Sequence, residues 1–494
     1  MAPEHEDRLY RFDPADGSGV FLGLGVAQCA FLGTGLVASV AAVSYGVVLP
    51  LAAVPALVAT AASFARVGGR PAWEWLSVLA AWTTLRLGRG RRWLAPLALL
   101  PDEAGRPTPL PPCLDGVTIV DLPWRGRQRI GAVRDDGCHP HRRRAGVRAG
   151  LRRAAPGRAG APGGRMGRRP QPVRGGGRAR HPRGVVGPGR AVGTGGAPGL
   201  AGERRGREVH DEARASYDEL LADATATATA HDVVVTLTVA RDRLGRSGGA
   251  DPDAALARVL ASSTEALLRG ARSAGLDASD PLSAAELQRA LRTRIDPAAA
   301  RPARVGGRLV DRLGMVGAAG AGPMALESSW RHVRVDAAFH RTWRVVAWPR
   351  LPVTPAWLEP FLSAPGVTRT MTVAFCPVSA YQSRRRIERD LVKLESDAAT
   401  KEDKGRRVDA RHRRATQALL DREQELVAGF AEMGYIGLVG VSARSEAELE
   451  EAAEITEQAA REAGMELRCL EARQDLAWAS ALPLGLAPKH LLAG

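Results

Sequence analysis

From Gly17 to Ala65 the chain carries 49 consecutive uncharged residues, rich in Val, Leu, Ala and Gly. One helix crossing roughly 30 Å of hydrocarbon needs about 20 apolar residues, so the run predicts two transmembrane helices, near Val20 to Ala42 and Val47 to Phe64. Ser44 and Tyr45 mark a tight turn, and Pro50 falls in the first turn of the second helix. Arg66, Arg70, Arg86, Arg89, Arg91 and Arg92 follow the second span, which places that flank, and by parity the N-terminus, in the cytoplasm of a two-span cell-membrane protein. A cleaved signal peptide fits less well, because the run is too long and Glu4, Glu6 and Asp7 make an acidic start. A buried helical hairpin of a globular protein is the other alternative.

Beyond the hairpin, Trp75, Val78, Leu79, Trp82 and Leu85 recur at helical spacing and gather on one side. The pattern predicts an amphipathic helix at the membrane interface, with Trp73, Trp75 and Trp82 at headgroup level and Arg86 reaching lipid heads. An ordinary core-packing helix would show the same spacing.

A short helix from Ala213 to Leu221 and a buried strand over Val233 to Val239 open the later part of the chain. Helices are predicted over Asp253 to Arg272 and Ser283 to Thr293, the second introduced by a capping box of Ser283 and Glu286. His332 to Val335, Trp343 to Trp348, Thr368 to Phe375, Tyr435 to Val441 and Met465 to Leu470 read as strands. Helices over Thr354 to Leu362 and Ser445 to Gly464 separate some of them. The charged stretch Ser379 to Glu432 has a narrow apolar stripe on each arm, Ile387, Leu391 and Leu394 against Ala415, Leu419, Leu426 and Phe430, and Gly405 suits a turn between them.

The expected fold is a membrane-anchored α+β protein: a two-helix transmembrane hairpin followed by a ferredoxin-like α+β cytoplasmic domain with a helical-hairpin insertion. The expected organisation is a hairpin and interfacial helix over 1–92, a β-rich connector over 93–137, a low-complexity block over 138–208, an α/β segment over 209–330 and the ferredoxin-like domain over 331–494, its helical hairpin at 379–432.

Charge changes the picture in one place. Of the formal net charge of +16, all resides between Cys138 and Glu208, a stretch with 18 Arg, no Lys, 19 Gly, 8 Pro and 10 Ala. Its composition offers no hydrophobic period and no packed core. It is open to three readings: a disordered arm binding nucleic acid through phosphates, although without aromatic residues for base stacking; a linker; or, favoured here, the out-of-frame product of a GC-rich gene.

Five cysteines without a C-x-x-C pair suggest a reducing compartment. No Gly-x-x-x-x-Gly-Lys-Ser/Thr occurs, which argues against a P-loop NTPase. Gly440-Val-Ser442-Ala-Arg444 resembles a nucleophile elbow but lacks the second Gly, so Ser442 reads as a turn residue. Gly317 to Gly322 reads as a hinge, the histidines lack ligand spacing, and the arginine runs at 384–386 and 411–414 read as solvated helix faces. No catalytic residue, cofactor or metal site is expected, and the chain is not expected to be an enzyme.

Several short stretches carry a resemblance. Tyr10-Arg-Phe12, the double span, Trp73-Glu-Trp-Leu76, Gly322-Pro-Met-Ala325, Trp330, Arg334-Val-Asp336, His340-Arg-Thr342, Ala347-Trp-Pro-Arg350 and Leu482-Pro-Leu-Gly485 resemble, in that order, a family of uncharacterised actinobacterial integral membrane proteins from conjugation or type IV secretion-like clusters. The resemblance spans residues 1 to about 135 and 210 to 494, with a hairpin similar to PrgI-type conjugation membrane proteins and a later part similar to the N-terminal region of conjugation ATPases. It implies a non-enzymatic membrane component that anchors or positions a cytoplasmic translocation ATPase, with the lipid bilayer and other secretion or conjugation subunits as partners. The alternatives are an accessory two-span subunit of type VII secretion and a membrane-tethered nucleic-acid-binding protein.

Overall fold

The computed structural model describes residues 26–67, 70–72, 74–88, 91–95, 110–126, 128–135, 146–153, 181–191, 229–240, 252–274, 276, 278–297, 303–305, 308–310, 322–354, 356–364, 366–403, 410–430 and 432–486. The N-terminal apolar run folds as α1 (Val26–Ser44), a one-turn helix (Leu49–Ala52) and α2 (Val54–Phe64). Gly46, at a φ of 79°, makes the turn after α1. The arms pack closely: a Cβ on Gly35 would come within 2.3 Å of the Ala59 Cβ.

This corrects the expected membrane anchor. Among the described residues no helix is long and apolar enough to cross a membrane. The second arm breaks at Ala53, with Pro50 and Pro55 each opening a new helical start. That leaves 11 residues in α2, about 16 Å of helix against the roughly 30 Å required. Polar groups also tie the arms, Gln28 donating to the Ser63 carbonyl at 3.2 Å and the Ala56 N–H to Ser39 Oγ at 3.0 Å. The two-span fold, the transmembrane character and the cell-membrane location with both termini cytoplasmic are therefore not supported.

Next come α3 (Glu74–Leu87) and the strands β1 (Arg92–Leu94), β2 (Val117–Pro123), β3 (Arg129–Asp135), β4 (Gly146–Arg153), β5 (His181–Ala191) and β6 (Thr229–Ala240). After α4 (Pro252–Ser273) follow β7 (Ala278–Pro281), α5 (Ala284–Ile295), β8 (Ala325–Ser328), β9 (Val333–Val335) and β10 (Ala338–Ala347). The last part comprises α6 (Glu359–Ser363), β11 (Thr368–Pro377), α7 (Ala380–Asp403), α8 (Ala410–Val427), β12 (Met433–Ala443), α9 (Glu446–Glu462), β13 (Glu466–Cys469) and α10 (Gln474–Ala481). The α+β character is plain.

The larger strands form one sheet in the order β1-β8-β9-β10-β12-β11-β5-β6-β4-β3-β2, with β13 also on β10 and β7 on β4. Within it, β13, β10, β12 and β11 lie side by side and pair antiparallel, while α6 and α9 make the crossovers and α7 with α8 is inserted between β11 and β12. β4 and β5 lie inside the Arg/Gly/Pro/Ala block, whose composition predicted no regular element; β5 pairs with both β11 and β6 and so joins the two halves of the sheet. The expected helix over 213–221 and most of the Gly-rich loop lie outside the described residues.

Strand alternation places a core on each face of the C-terminal sheet. Trp343, Val345, Met371, Val439 and Val441 pack under Leu449, Ala453 and Ala460 of α9. On the other face Leu476 and Trp478 of α10 meet Leu287, Leu291 and Ile295 of α5. A third cluster joins Ile130 and Ala132 of β3 and Leu237 and Val239 of β6 to Leu256 and Leu260 of α4.

Candidate functional site

A cavity of about 350 Å³ opens at one end of this sheet, where β10 and β11 begin and β12 ends. Asp296, Thr368, Ser442, Arg444, Glu448 and Glu451 are among its lining residues. Asp296 follows α5; Glu448 and Glu451 come from the first turns of α9, whose N-terminus is fixed by Ser445, accepting from the Glu448 N–H at 3.2 Å. The cavity is thus built by secondary elements rather than by long loops.

At its floor the register sets His340 of β10 directly opposite Ser442 of β12. His340 Nδ1 lies 2.8 Å from Ser442 Oγ, and Nε2 lies 3.0 Å from the Ile295 carbonyl oxygen. A carbonyl only accepts, so Nε2 carries the proton and Nδ1 accepts from the Ser442 hydroxyl. Burial drives the His340 pKa down to about 4, against smaller upward pulls from the Ile295 carbonyl, Asp296 and Asp336. The ring is neutral at pH 7. Sequence reading makes Ser442 a turn residue and gives His340 no chemical role; it misses the pair because the partners stand 102 positions apart and only strand pairing brings them together.

The residues expected at a membrane interface are placed elsewhere. Trp73 lies outside the described residues. Trp75 stacks on Trp330 with ring centroids 6.3 Å apart, and Trp82 meets the same ring edge-on at 5.3 Å. The Arg86 guanidinium sits 5.8 Å above Trp82. On the face singled out by helical spacing, Trp75 and Trp82 pack on the turn between β8 and β9, while Leu79 is exposed.

Several of the stretches that carried the resemblance are fixed by polar pairs and core packing. Asp336, at a φ of 53° between β9 and β10, accepts from the backbone N–H of Met324 at 2.7 Å and Ala325 at 2.9 Å and pairs with Arg292 at 2.5 Å. Arg341 forms a bidentate pair with Glu450 and donates to the Arg331 carbonyl at 3.1 Å. Gln474, fully buried, accepts from the Thr342 N–H at 2.8 Å and donates to its carbonyl at 3.1 Å, standing in for a strand partner. Leu482, Leu484 and Leu486 close the core.

Among the described residues no group of His, Cys, Asp or Glu could hold a metal ion. Burial pushes the Cys469 thiol up to about 11, so it is not a nucleophile at pH 7. Arg384 and Arg385 are exposed, and Arg386 and Arg422 converge on Glu432 at the root of the α7–α8 hairpin. No protein-family model matches the chain, and no curated protein matches it.

Proposed function

We propose that the chain is a positioning subunit of a conjugation or type IV secretion-like apparatus, which docks a translocation ATPase by binding it. The observation that carries this reading is the α7–α8 hairpin. Its longer arm has 24 residues, about 36 Å of helix, inserted between two adjacent strands of the sheet. Its buried residues face inward: Ile387 is 2% exposed, while Tyr381, Val392, Leu420 and Val427 remain on the outside. Two helices packed on each other through a narrow stripe, with apolar residues left on their outer faces, offer a partner helix a third place in the bundle. The ordered series of short stretches from Gly322 to Gly485 supports the choice of apparatus.

The hairpin is tested by charge. Val392→Glu combined with Leu420→Glu adds no load to the sheet core and is expected to leave the melting temperature unchanged while weakening ATPase binding at least tenfold. Unchanged affinity in a folded double variant removes the hairpin from the interface.

A further inference from the structure

We propose that Ser442 is a nucleophile and His340 its general base, and that the cavity at the sheet end admits a small ester whose acyl part is uncharged or bears an amine. This goes beyond the docking role and does not depend on it.

Three observations converge. The Ser442 hydroxyl is bonded at 2.8 Å to a histidine whose proton the Ile295 carbonyl holds on the far nitrogen, so the near nitrogen can take the serine proton. Ser442 lines the cavity and is half-buried, whereas His340 is 3% exposed, so the base is shielded from water. Burial disfavours the imidazolium that forms, and the Ile295 carbonyl with the field of Asp296 and Asp336 offsets part of that cost. A nucleophile, a base and a group orienting the base form the minimal arrangement for acyl transfer.

In the first step Ser442 Oγ bonds to the acyl carbon and its proton passes to His340 Nδ1. Collapse of the tetrahedral adduct breaks the ester C–O bond, and the leaving alkoxide departs as the alcohol with that proton. Water then attacks the acyl group and gives a proton to Nδ1. The acid leaves, and Ser442 Oγ recovers its proton. α9 starts at the cavity wall between Arg444 and Glu448; the Ser445 cap takes the Glu448 N–H, and the earlier N–H groups of that turn, at Glu446 and Ala447, are of the kind that steady an oxyanion. Asp296, Glu448 and Glu451 outnumber Arg444 in the lining, so the cavity disfavours acyl groups that carry a carboxylate or phosphate.

The test treats the full chain with a fluorophosphonate probe, maps the labelled peptide by mass spectrometry, and follows p-nitrophenyl acetate hydrolysis in parallel. Expected are labelling at Ser442, its loss in Ser442→Ala at an unchanged melting temperature, and acylation lowered by about 10²- to 10⁴-fold in His340→Gln. A folded wild-type chain that takes no label, a label mapped to another residue, or hydrolysis equal in Ser442→Ala and wild type would each overturn the proposal.

Discussion

The pH dependence of stability at His340 follows from its burial. An unfolded histidine titrates near 6.5 and the folded one near 4, so the unfolded chain binds more protons between those values. The contribution is fully present above pH 6.5 and is lost as pH falls toward 4, about 3 kcal/mol over the window. Denaturant unfolding of wild type and His340→Gln at pH 7 and pH 4.5 checks this: the wild type should lose more stability than the variant. Glu450 behaves in the carboxylate sense. Hydrogen bonding to Arg341, the largest cause, lowers its pKa, so its support is present above pH 4.5 and fades below it. Because Glu450 is half exposed and the Arg341 side chain only 4% exposed, removing the acid strands a buried cation, whereas removing the arginine frees a solvated carboxylate. Glu450→Ala is therefore expected to lower the melting temperature more than Arg341→Met.

Elements with strong local signals stand close to where their residues place them. The box before α5 forms in full: Ser283 Oγ accepts from the Glu286 N–H, and the Glu286 carboxylate accepts from the Ser283 N–H at 2.8 Å. Ser283→Ala should cost about 1 kcal/mol in equilibrium unfolding, since α5 carries Leu287, Leu291 and Ile295 into the core. The β-branched run at 233–239 falls within β6, and the helix expected from Asp253 to Arg272 is α4 nearly residue for residue. Weaker signals went astray for identifiable reasons. Polar His340 and Arg341 disguised the start of β10, although both are buried through paired hydrogen bonds. Pro355 suggested an early start for α6, which begins only at Glu359. The short α10 was missed, because Gln474 and Asp475 head a helix that every neighbour buries. In the N-terminal run, composition alone favoured two spans, and Pro50 and Pro55 decided otherwise by dividing the second arm. The cavity was the least legible feature, since it joins residues from α5, β10, β11, β12 and α9.

At the scale of the whole molecule, long-range contacts decide how the N-terminal part meets the rest. β1 pairs with β8, Arg92 bonds Glu327 at 2.7 Å, and Trp330 receives two tryptophans from α3. Trp330→Ala should raise hydrogen exchange across 74–87 while leaving β10 and β12 protected; equal loss of protection in both would show that α3 is integral to the sheet core. The Arg-rich block supplies β4 and β5 at the seam of the sheet, so its origin matters for the fold. If the block is an out-of-frame product, one of the other two forward frames should encode a periodic segment between about 135 and 210; if neither does, that origin is ruled out. The proposed function is tested most directly by the affinity between the purified full-length chain and a translocation ATPase of a conjugation or type IV secretion-like apparatus. A stable one-to-one or higher complex, weakened at least tenfold by Val392→Glu with Leu420→Glu, is the result expected of a positioning subunit. Failure of the folded wild-type chain to bind that ATPase would contradict it.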